Sequence, residues 1–506
     1  MEKKRLTGRN LSTIHNASRR KASTVNDTDQ MNSEARSMLQ DFRIKPWAHQ
    51  LEALERFSSL GRILLRHDMG TGKTLTGCLC LRHVASVLRR CPITIIFCPL
   101  SVIPHWEREI EKNCNLNISK KVQVLRGTEK ERVAQISPEK SIYIVNYEVT
   151  RLKKLFSVLK NLNPDFVILD ECHKIKGPKS LTSLGIRALI GNVRYRLLLS
   201  GTPVLNSAMD VWAQLQALGT GAVDDNYWAW IRRHFYDANS GKSWLNYPDW
   251  KLIPGKEQHI NRVIALNSHT ALKSECLDLP PLVEQTVEVT LTPEMRRMYD
   301  ELEEDFLTYL DSGEVLATDL AITKLIRLME ICNGVVTLPN EVVLKPTAKL
   351  DALADILEST GKEKVVIWCN FLKPMAAIEK LLENLGIVYV RFTGAESAKD
   401  KQAAIDVFNT DPSVKVFLAT QAAGGVGIGL QAASVAVTYS QSFNLEHYLQ
   451  SAARTYRGGS EIHSKITHIS LITSGTVEEQ IAEALSRKMD LANLLLTIKR
   501  EHKKAA

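Results

Sequence analysis

Three short stretches of this 506-residue chain hold side chains that could do chemistry together: DMGTGKT at Asp68–Thr74, DE at Asp170–Glu171, and an arginine pair at Arg454 and Arg457. Gly70 and Gly72 free the backbone to turn N–H groups toward a phosphate, and a helix opening at Lys73 would add its positive end. Lys73 would reach the terminal phosphates of a nucleotide, and the Thr74 hydroxyl would hold Mg2+. The strict G-x-x-x-x-G-K-[ST] pattern is not met, because His67 stands where its first glycine belongs. Asp170 closes an apolar run and would hold the magnesium shell, while Glu171 would polarise the attacking water. In-line displacement at phosphorus asks for charge and positioning more than for covalent help. Arg454 and Arg457, three positions apart, would share one face of a helix. Their guanidinium groups keep their charge and offer a planar fork to phosphate oxygens. These are the parts of an ATPase cleft divided between distant stretches of chain.

The elements that must position these residues are legible as a pattern. GRILLRHD, CPITIIFCP, SIYIVNYE, DFVILDE and RYRLLLSGT are short apolar runs, bounded by turns and alternating with helical stretches. Such alternation predicts βαβ units and a parallel sheet. The runs are continuous rather than alternating, as strands covered on both faces require. From 206 to 275 the pattern changes: Trp212, Trp228, Trp230, Trp244 and Trp250 occur at helical spacings with no clear strand series. Trp228 and Trp230 read as core of a helical protrusion rather than as base-stacking groups. VEQTVEVTLTPEMRRMYDELEEDFLTYL starts extended and ends helical, and ATDLAITKLIRLMEICN is a second helix. Near Thr347 the alternation resumes with KVVIWCNF, IVYVRFTG, KVFLAT, SVAVTYS and KITHISLIT. The fold class is therefore α/β, with two lobes and helices between them.

The length predicts two or three domains. No apolar run reaches the ~18 residues of a membrane helix. The N-terminus is basic and polar, without the apolar core of a secretory signal. Nine scattered cysteines with no CxxC argue against a zinc site or a disulfide framework and for a reducing compartment. A net charge of +9 permits nucleic-acid binding without requiring it. Basic residues gather at both ends, where they read as solvated tails.

SGTPVLN (Ser200–Asn206), DECHKIKGP (Asp170–Pro178), LTPEMRRMYDE (Leu291–Glu301), TQAAGGVGIGLQAAS (Thr420–Ser434) and QSAARTYRGG (Gln450–Gly459) together resemble helicase superfamily 2, and within it the Swi/Snf group of DNA translocases. The long stretch between Thr202 and Trp368 is part of the likeness, which covers about residues 42–490. The resemblance implies two RecA-like parallel-sheet lobes with helical protrusions inserted between their motifs. The expected division is a disordered basic arm at 1–40, a first lobe at 41–205, protrusions and linker at 206–345, a second lobe at 346–490 and a basic tail at 491–506.

The resemblance also implies roles. PWAHQ is similar to the adenine-reading motif, with Gln50 as the reader; Gly70, Thr71, Gly72, Lys73, Thr74 and Gly427 would face ATP. Thr74 and Asp170 would hold Mg2+. Glu171, Gln450, Arg454 and Arg457 would join Lys73 in catalysis. Pro99, Ser101, Trp106, Asn146, Asn370, Gly394, Thr420, Gly424 and Gly425 would touch the DNA backbone, and Ser200 and Thr202 would couple cleft to track. Three departures stand out: Thr71 where the family has Leu, Cys172 where it has a small residue, and RTYRGGS where it has RxxRIGQ.

The implied function is ATP-dependent translocation on double-stranded DNA, remodelling protein–DNA or branched-DNA complexes without strong sequence preference. A strand-separating or branch-remodelling helicase is one alternative. A nucleotide-binding, DNA-associated regulatory module with a degenerate cleft is another, in viral transcription, repair or defence. The expected compartment is cytoplasm or nucleoid, or the nucleus of a eukaryotic host. No bromodomain-like, chromodomain-like or zinc segment flanks the motifs, so a viral or bacterial source is expected.

Overall fold

The computed structural model describes residues 45–201, 209–240, 248, 250–311, 319–337, 342–424, 428–487 and 498. The basic arm expected at 1–40 and most of the tail expected at 491–506 lie outside the described residues, as do Thr202, Trp244, Gly425 and Gly427.

Each continuous apolar run folds as a strand. In the first half these are β1 (Arg62–His67), β2 (Thr94–Phe97), β4 (Ile142–Val145), β5 (Phe166–Leu169) and β6 (Tyr195–Ser200), while the short β3 (Val122–Val124) comes from no such run. A small hairpin, β7 (Phe235–Asp237) and β8 (Trp250–Leu252), precedes β9 (Ser268–Ala271). The first sheet has the order β3-β4-β2-β5-β6-β1-β9 and is parallel throughout. Successive residues serve opposite faces: Ile63 and Leu65 pack with Phe57 and Trp106, while Leu64 packs with Phe97 and Trp212. Burial on both faces is what makes the run continuous in sequence.

The second half repeats the plan. It contains β10 (Leu282–Val289), the hairpin β11 (Val335–Thr337) and β12 (Val342–Leu344), then β13 (Val365–Cys369), β14 (Tyr389–Phe392), β15 (Val416–Ala419), β16 (Val435–Ser440) and β17 (Ile466–Thr473). The second sheet, β10-β17-β16-β13-β15-β14, is also parallel. Val365 and Ile367 serve one core, Val366 and Trp368 the other.

The middle of the chain departs from the helical expectation before 275 and keeps the extended start expected after it. β9 lies along β1, with Leu64 opposite Ser268 and His67 opposite Ala271. β10 pairs with β17 over eight positions, from Leu282↔Ile466 to Val289↔Thr473. Both sheets thus take an edge strand from the region between the lobes, and only residues 272–281 connect those edges. The long helices Pro293–Asp311 and Asp319–Cys332 bury Met295, Tyr299, Phe306, Leu325 and Leu328 against Val477 and Ile481 of helix Val477–Ser486.

The tryptophan pair divides. Trp230 is buried. Trp228 is 40% exposed, with Lys179 Nζ 5.1 Å over its ring and Trp250 beside it, so the core reading holds for one member only.

Candidate active site

The parallel strands deliver their loops to the carboxyl ends of the sheets, where ligands bind in open α/β folds. β1 ends at His67, and the following turn needs both glycines: φ is +86° at Gly70 and +74° at Gly72. Each glycine also admits a neighbour. A Cβ on Gly70 would lie 2.6 Å from Arg457 Cβ, and one on Gly72 2.4 Å from Gln50 Nε2. The Thr71 hydroxyl donates to the Asp68 carbonyl at 2.7 Å. The Thr71 carbonyl in turn bonds His49 Nε2 at 2.9 Å and accepts from Gln50 Nε2 at 3.3 Å. Lys73 Nζ donates to the carbonyls of His67 and Asp68, both at 3.0 Å. Thr74 follows in the first turn of helix Lys73–Leu88, half-buried.

Two residues noted in the sequence pack against this loop. Gln50 was expected to read adenine, but its amide N–H groups point to Thr71 O and Gly72 O while its Oε1 accepts from Trp47 N. In this geometry it clamps the phosphate loop. His67, which breaks the glycine pattern, is buried and bonded through Nε2 to His269 Nδ1 of β9 at 2.9 Å. Burial and the neighbouring His269 hold it far below the usual histidine range, so it is neutral.

Asp170 follows β5 and is buried. Its Oδ2 accepts from the Trp106 indole at 2.7 Å, its Oδ1 from Glu171 N at 3.0 Å, and its carbonyl from the Tyr147 hydroxyl. Burial and the adjacent Glu171 charge push the Asp170 carboxyl up to about 6, against the pull of Trp106 and Lys73. Glu171 sits at φ +53°, a left-handed conformation that costs a non-glycine residue about 1–3 kcal/mol and is characteristic of functional turns. Burial pushes its carboxyl up, but the His173 hydrogen bond and the Lys73 charge outweigh burial and leave it below the usual range. His173 lies between two carboxylates: Nδ1 is 3.4 Å from Glu171 Oε2, and Nε2 is 3.1 Å from Glu446 Oε1. Burial opposes its protonation, yet these two bonds raise it to about 9.

Glu446 belongs to helix Leu445–Ala452 of the second lobe, so His173 ties Glu171 to the other half of the chain. Gln450 Nε2 also donates to Glu446 Oε1, and Gln450 Oε1 is buried without a hydrogen-bond partner among the described residues. The helix stops at Ala452, so the expected helical face for Arg454 and Arg457 is corrected: both lie in the turn beyond it. They converge because each donates to the Ile428 carbonyl, at 3.1 and 2.9 Å. The turn bends sharply at Gly459, φ +101°, and Gly458 admits the Trp47 ring, which would meet a Cβ at 2.6 Å.

The cations gathered here share one electrostatic signature. Burial depresses Lys73 and Arg457; burial and the Arg457 charge bring Arg454 down to about 9. Lys273, from the segment after β9, falls to about 8 through burial and the charges of Arg457, Lys73 and Arg454, with Asp68 opposing. Arg457 Nε is buried with no partner among the described residues. A polyanion is the ligand that would reverse all of these shifts.

Of the remaining expected residues, Ser200 is buried at the end of β6. A Cβ on the next residue, Gly201, would lie 3.5 Å from Lys73 Nζ. Pro99 precedes an exposed turn carrying Ser101. Asn146 follows β4 and holds Arg132 and Glu148; Asn370 follows β13 and donates from its N–H to Ser440 Oγ. Gly394 is exposed, and Thr420 caps the short helix Gln421–Gly424. Two expected DNA contacts are corrected. Trp106 has no exposed surface and is engaged by Asp170, and a Cβ there on Gly77 of the neighbouring helix would sit 2.4 Å from its ring. Gly424 is buried, its N–H donates to Thr420 O, and Trp368 would meet a Cβ at 2.3 Å. Both residues pack the interior. Glu446 and Lys273 were not foreseen, because their partners are remote in sequence.

Residues 47–336 match the SNF2-related domain, and residues 348–459 match the helicase conserved C-terminal domain. The chain is 26% identical over 463 residues to the ISWI chromatin-remodeling complex ATPase ISW1 of Saccharomyces cerevisiae, covering 86% of this chain and 38% of that protein. It is 26% identical over 542 residues to the TATA-binding protein-associated factor 172 of Homo sapiens, covering 92% and 28%. It is 25% identical over 487 residues to the nuclear protein STH1/NPS1 of Saccharomyces cerevisiae, covering 88% and 34%. The chain therefore spans about two fifths or less of these relatives' length. A solved structure, the Sulfolobus solfataricus SWI2/SNF2 ATPase core in complex with dsDNA, aligns with a TM-score of 0.42 and 23% identity over 88% of this chain and 92% of that one. The curated relatives come from eukaryotes, so the expected viral or bacterial source finds no support. Among the described residues no helix is long and apolar enough to cross a membrane.

Proposed function

The chain belongs to the SNF2-related family, and from that membership we propose that it hydrolyses ATP and uses the cycle to move along duplex DNA. The observation that carries this reading is the meeting of the two halves at the phosphate loop. Arg457 abuts Gly70, and Arg454 shares its electrostatic surroundings with Lys73 and Glu171.

Each group has a task. The loop N–H groups and the start of helix Lys73–Leu88 would bind the triphosphate. Lys73 would exchange its two carbonyl partners for phosphate oxygens. Asp170 and Thr74 are the residues that would hold Mg2+, which would supply positive charge against the phosphates; one carboxylate and one hydroxyl suit that ion. Glu171, kept ionised by His173 and Lys73, would orient the attacking water. Arg454 and Arg457 would stabilise the charge of the transition state, a role worth about 10³–10⁵ in rate.

For DNA, Pro99, Ser101, Asn146, Asn370, Gly394 and Thr420 all follow the carboxyl ends of parallel strands, on both sheets. Small polar groups at that rim suit phosphate contacts rather than base edges, so binding should be sequence-tolerant and weaken steeply with salt. The relatives' names, a chromatin-remodeling complex ATPase and a TATA-binding protein-associated factor, support a substrate in which protein is bound to DNA.

The test is ATP turnover with no nucleic acid, duplex DNA, single-stranded DNA and RNA. Duplex should stimulate most, Lys73→Ala should abolish turnover, and Glu171→Gln should lower it by about 10²–10⁴. Equal rates with and without DNA, or an active Lys73→Ala, would sink the reading.

A further inference from the structure

The segment linking the two sheets begins at the phosphate loop itself. β9 runs beside β1 in a register that sets Ala271 opposite His67, so the next residues travel alongside the loop. Asp68 N donates to Ala271 O at 2.9 Å, and Lys273 N donates to Asp68 Oδ2 at 2.9 Å. The main chain of Lys273 is thus fastened to the loop's first residue at the start of the short helix Lys273–Cys276.

Its side chain goes the other way. Lys273 Nζ donates to the Tyr456 carbonyl of the second lobe at 2.7 Å and lies 5.1 Å over the Tyr456 ring. Lys273 Cε would be 3.9 Å from a Cβ placed on Gly70, the same position that Arg457 approaches from the second lobe. One residue therefore holds the phosphate loop through its backbone and the arginine-bearing turn through its ammonium.

We propose that Lys273 is a positioning residue: it docks the Tyr456–Arg457 turn of the second lobe on the phosphate loop, and so sets where Arg457 stands during hydrolysis. The inference rests on the ATPase reading for its catalytic consequence, but the docking itself is a statement about the two lobes. The charge arrangement gives the latch a direction. Arg457, Arg454 and Lys73 repel the Lys273 ammonium, and Asp68 is the anion opposing them. A triphosphate brought into this group would convert mutual repulsion into shared attraction, so docking strengthens when ATP arrives. Lys273 acts through Arg457 and the lobe contact. Its loss should cost rate and the extra affinity of a triphosphate, and leave the affinity of a diphosphate near the parent's.

The experiment uses the full chain with Lys273→Met and Lys273→Arg. Steady-state ATPase with duplex DNA, affinity for a fluorescent ADP analogue, and small-angle scattering are measured on each. Lys273→Met should lower kcat by about tenfold or more, leave the analogue's affinity within about twofold, and enlarge the radius of gyration through lobe opening. Lys273→Arg should recover most of the rate and the compact form. An unchanged kcat and an unchanged scattering profile in Lys273→Met would overturn the proposal. An affinity loss as large as the loss in kcat would overturn it too, by making Lys273 a direct nucleotide ligand. If the parent chain shows no ATP turnover, the ATPase reading falls, and scattering alone decides the latch: opening in Lys273→Met supports it and an unchanged profile defeats it.

Discussion

The indole N–H of Trp106 donates to Asp170 from the interior of the first lobe, and this fixes what its loss should do. Trp106→Phe keeps the ring and removes the donor. Burial and Glu171 already push the Asp170 carboxyl up to about 6, and the Trp106 bond pulls it down. Without that bond it rises further, so a larger protonated fraction must be displaced before Mg2+ can bind. We expect the Mg2+ concentration for half-maximal ATPase to rise, and activity on the acid side to be lost at higher pH than in the parent. Duplex affinity measured by anisotropy should not change. The residue was conspicuous in the sequence, but the motif says only that Trp106 follows a strand, and the carboxylate it meets is set by packing across a sheet face. Gln50 teaches the same point: a place near the nucleotide was expected, its two carbonyl partners in the loop were not.

Elements are joined in the second lobe by a charge pair that the sequence conceals. Lys349 is fully buried on helix Ala348–Ser359, and its ammonium donates to Glu478 Oε1 at 2.6 Å, to Asn333 Oδ1 and to the Tyr439 carbonyl. Glu478 also accepts from Thr473 N. Helix Ala348–Ser359, β16, β17, helix Val477–Ser486 and the end of helix Asp319–Cys332 therefore meet at one ion pair. Lys349→Met would strand a buried carboxylate, a loss of about 3–5 kcal/mol, visible as a lower urea midpoint. Glu478→Gln in the same background should recover part of it. Long elements were readable: β10, the helix after it and most strands of both sheets follow from apolar runs and periodicity, the three-residue β3 excepted. β9 was not. Its four residues, Ser-His-Thr-Ala, carry no strand signal of their own, and they are extended because β1 offers a free edge.

Across the whole molecule, the lobes meet through His173 and Glu446, 273 positions apart in sequence. Hydrogen bonds to Glu171 of its own lobe and to Glu446 of the other raise His173 from 6.5 to about 9, so the folded protein binds a proton more tightly than the unfolded chain. The stabilisation is fully present below pH ~6.5 and is lost as pH rises through about 9. Glu446, drawn down to about 2 by His173 and Lys174 against its burial, stays ionised across that window. His173→Ala should lower stability by about 1–3 kcal/mol at pH 6 and by little at pH 10. Thermal melting of both proteins across pH checks this, and a constant gap would refute it.

The passage from β9 to β10 has one more consequence. A border drawn at residue 205 from motif spacing would strip β1 of its flanking strand and leave a row of bare N–H and C=O groups ready to pair with a stranger. Only within the ten residues from Leu272 to Pro281 could scissors fall and leave every strand of both sheets its neighbour. The seam of the protein thus lies deep inside what looks like an insertion, and its Lys273 is bonded to the first residue of the glycine loop after β1.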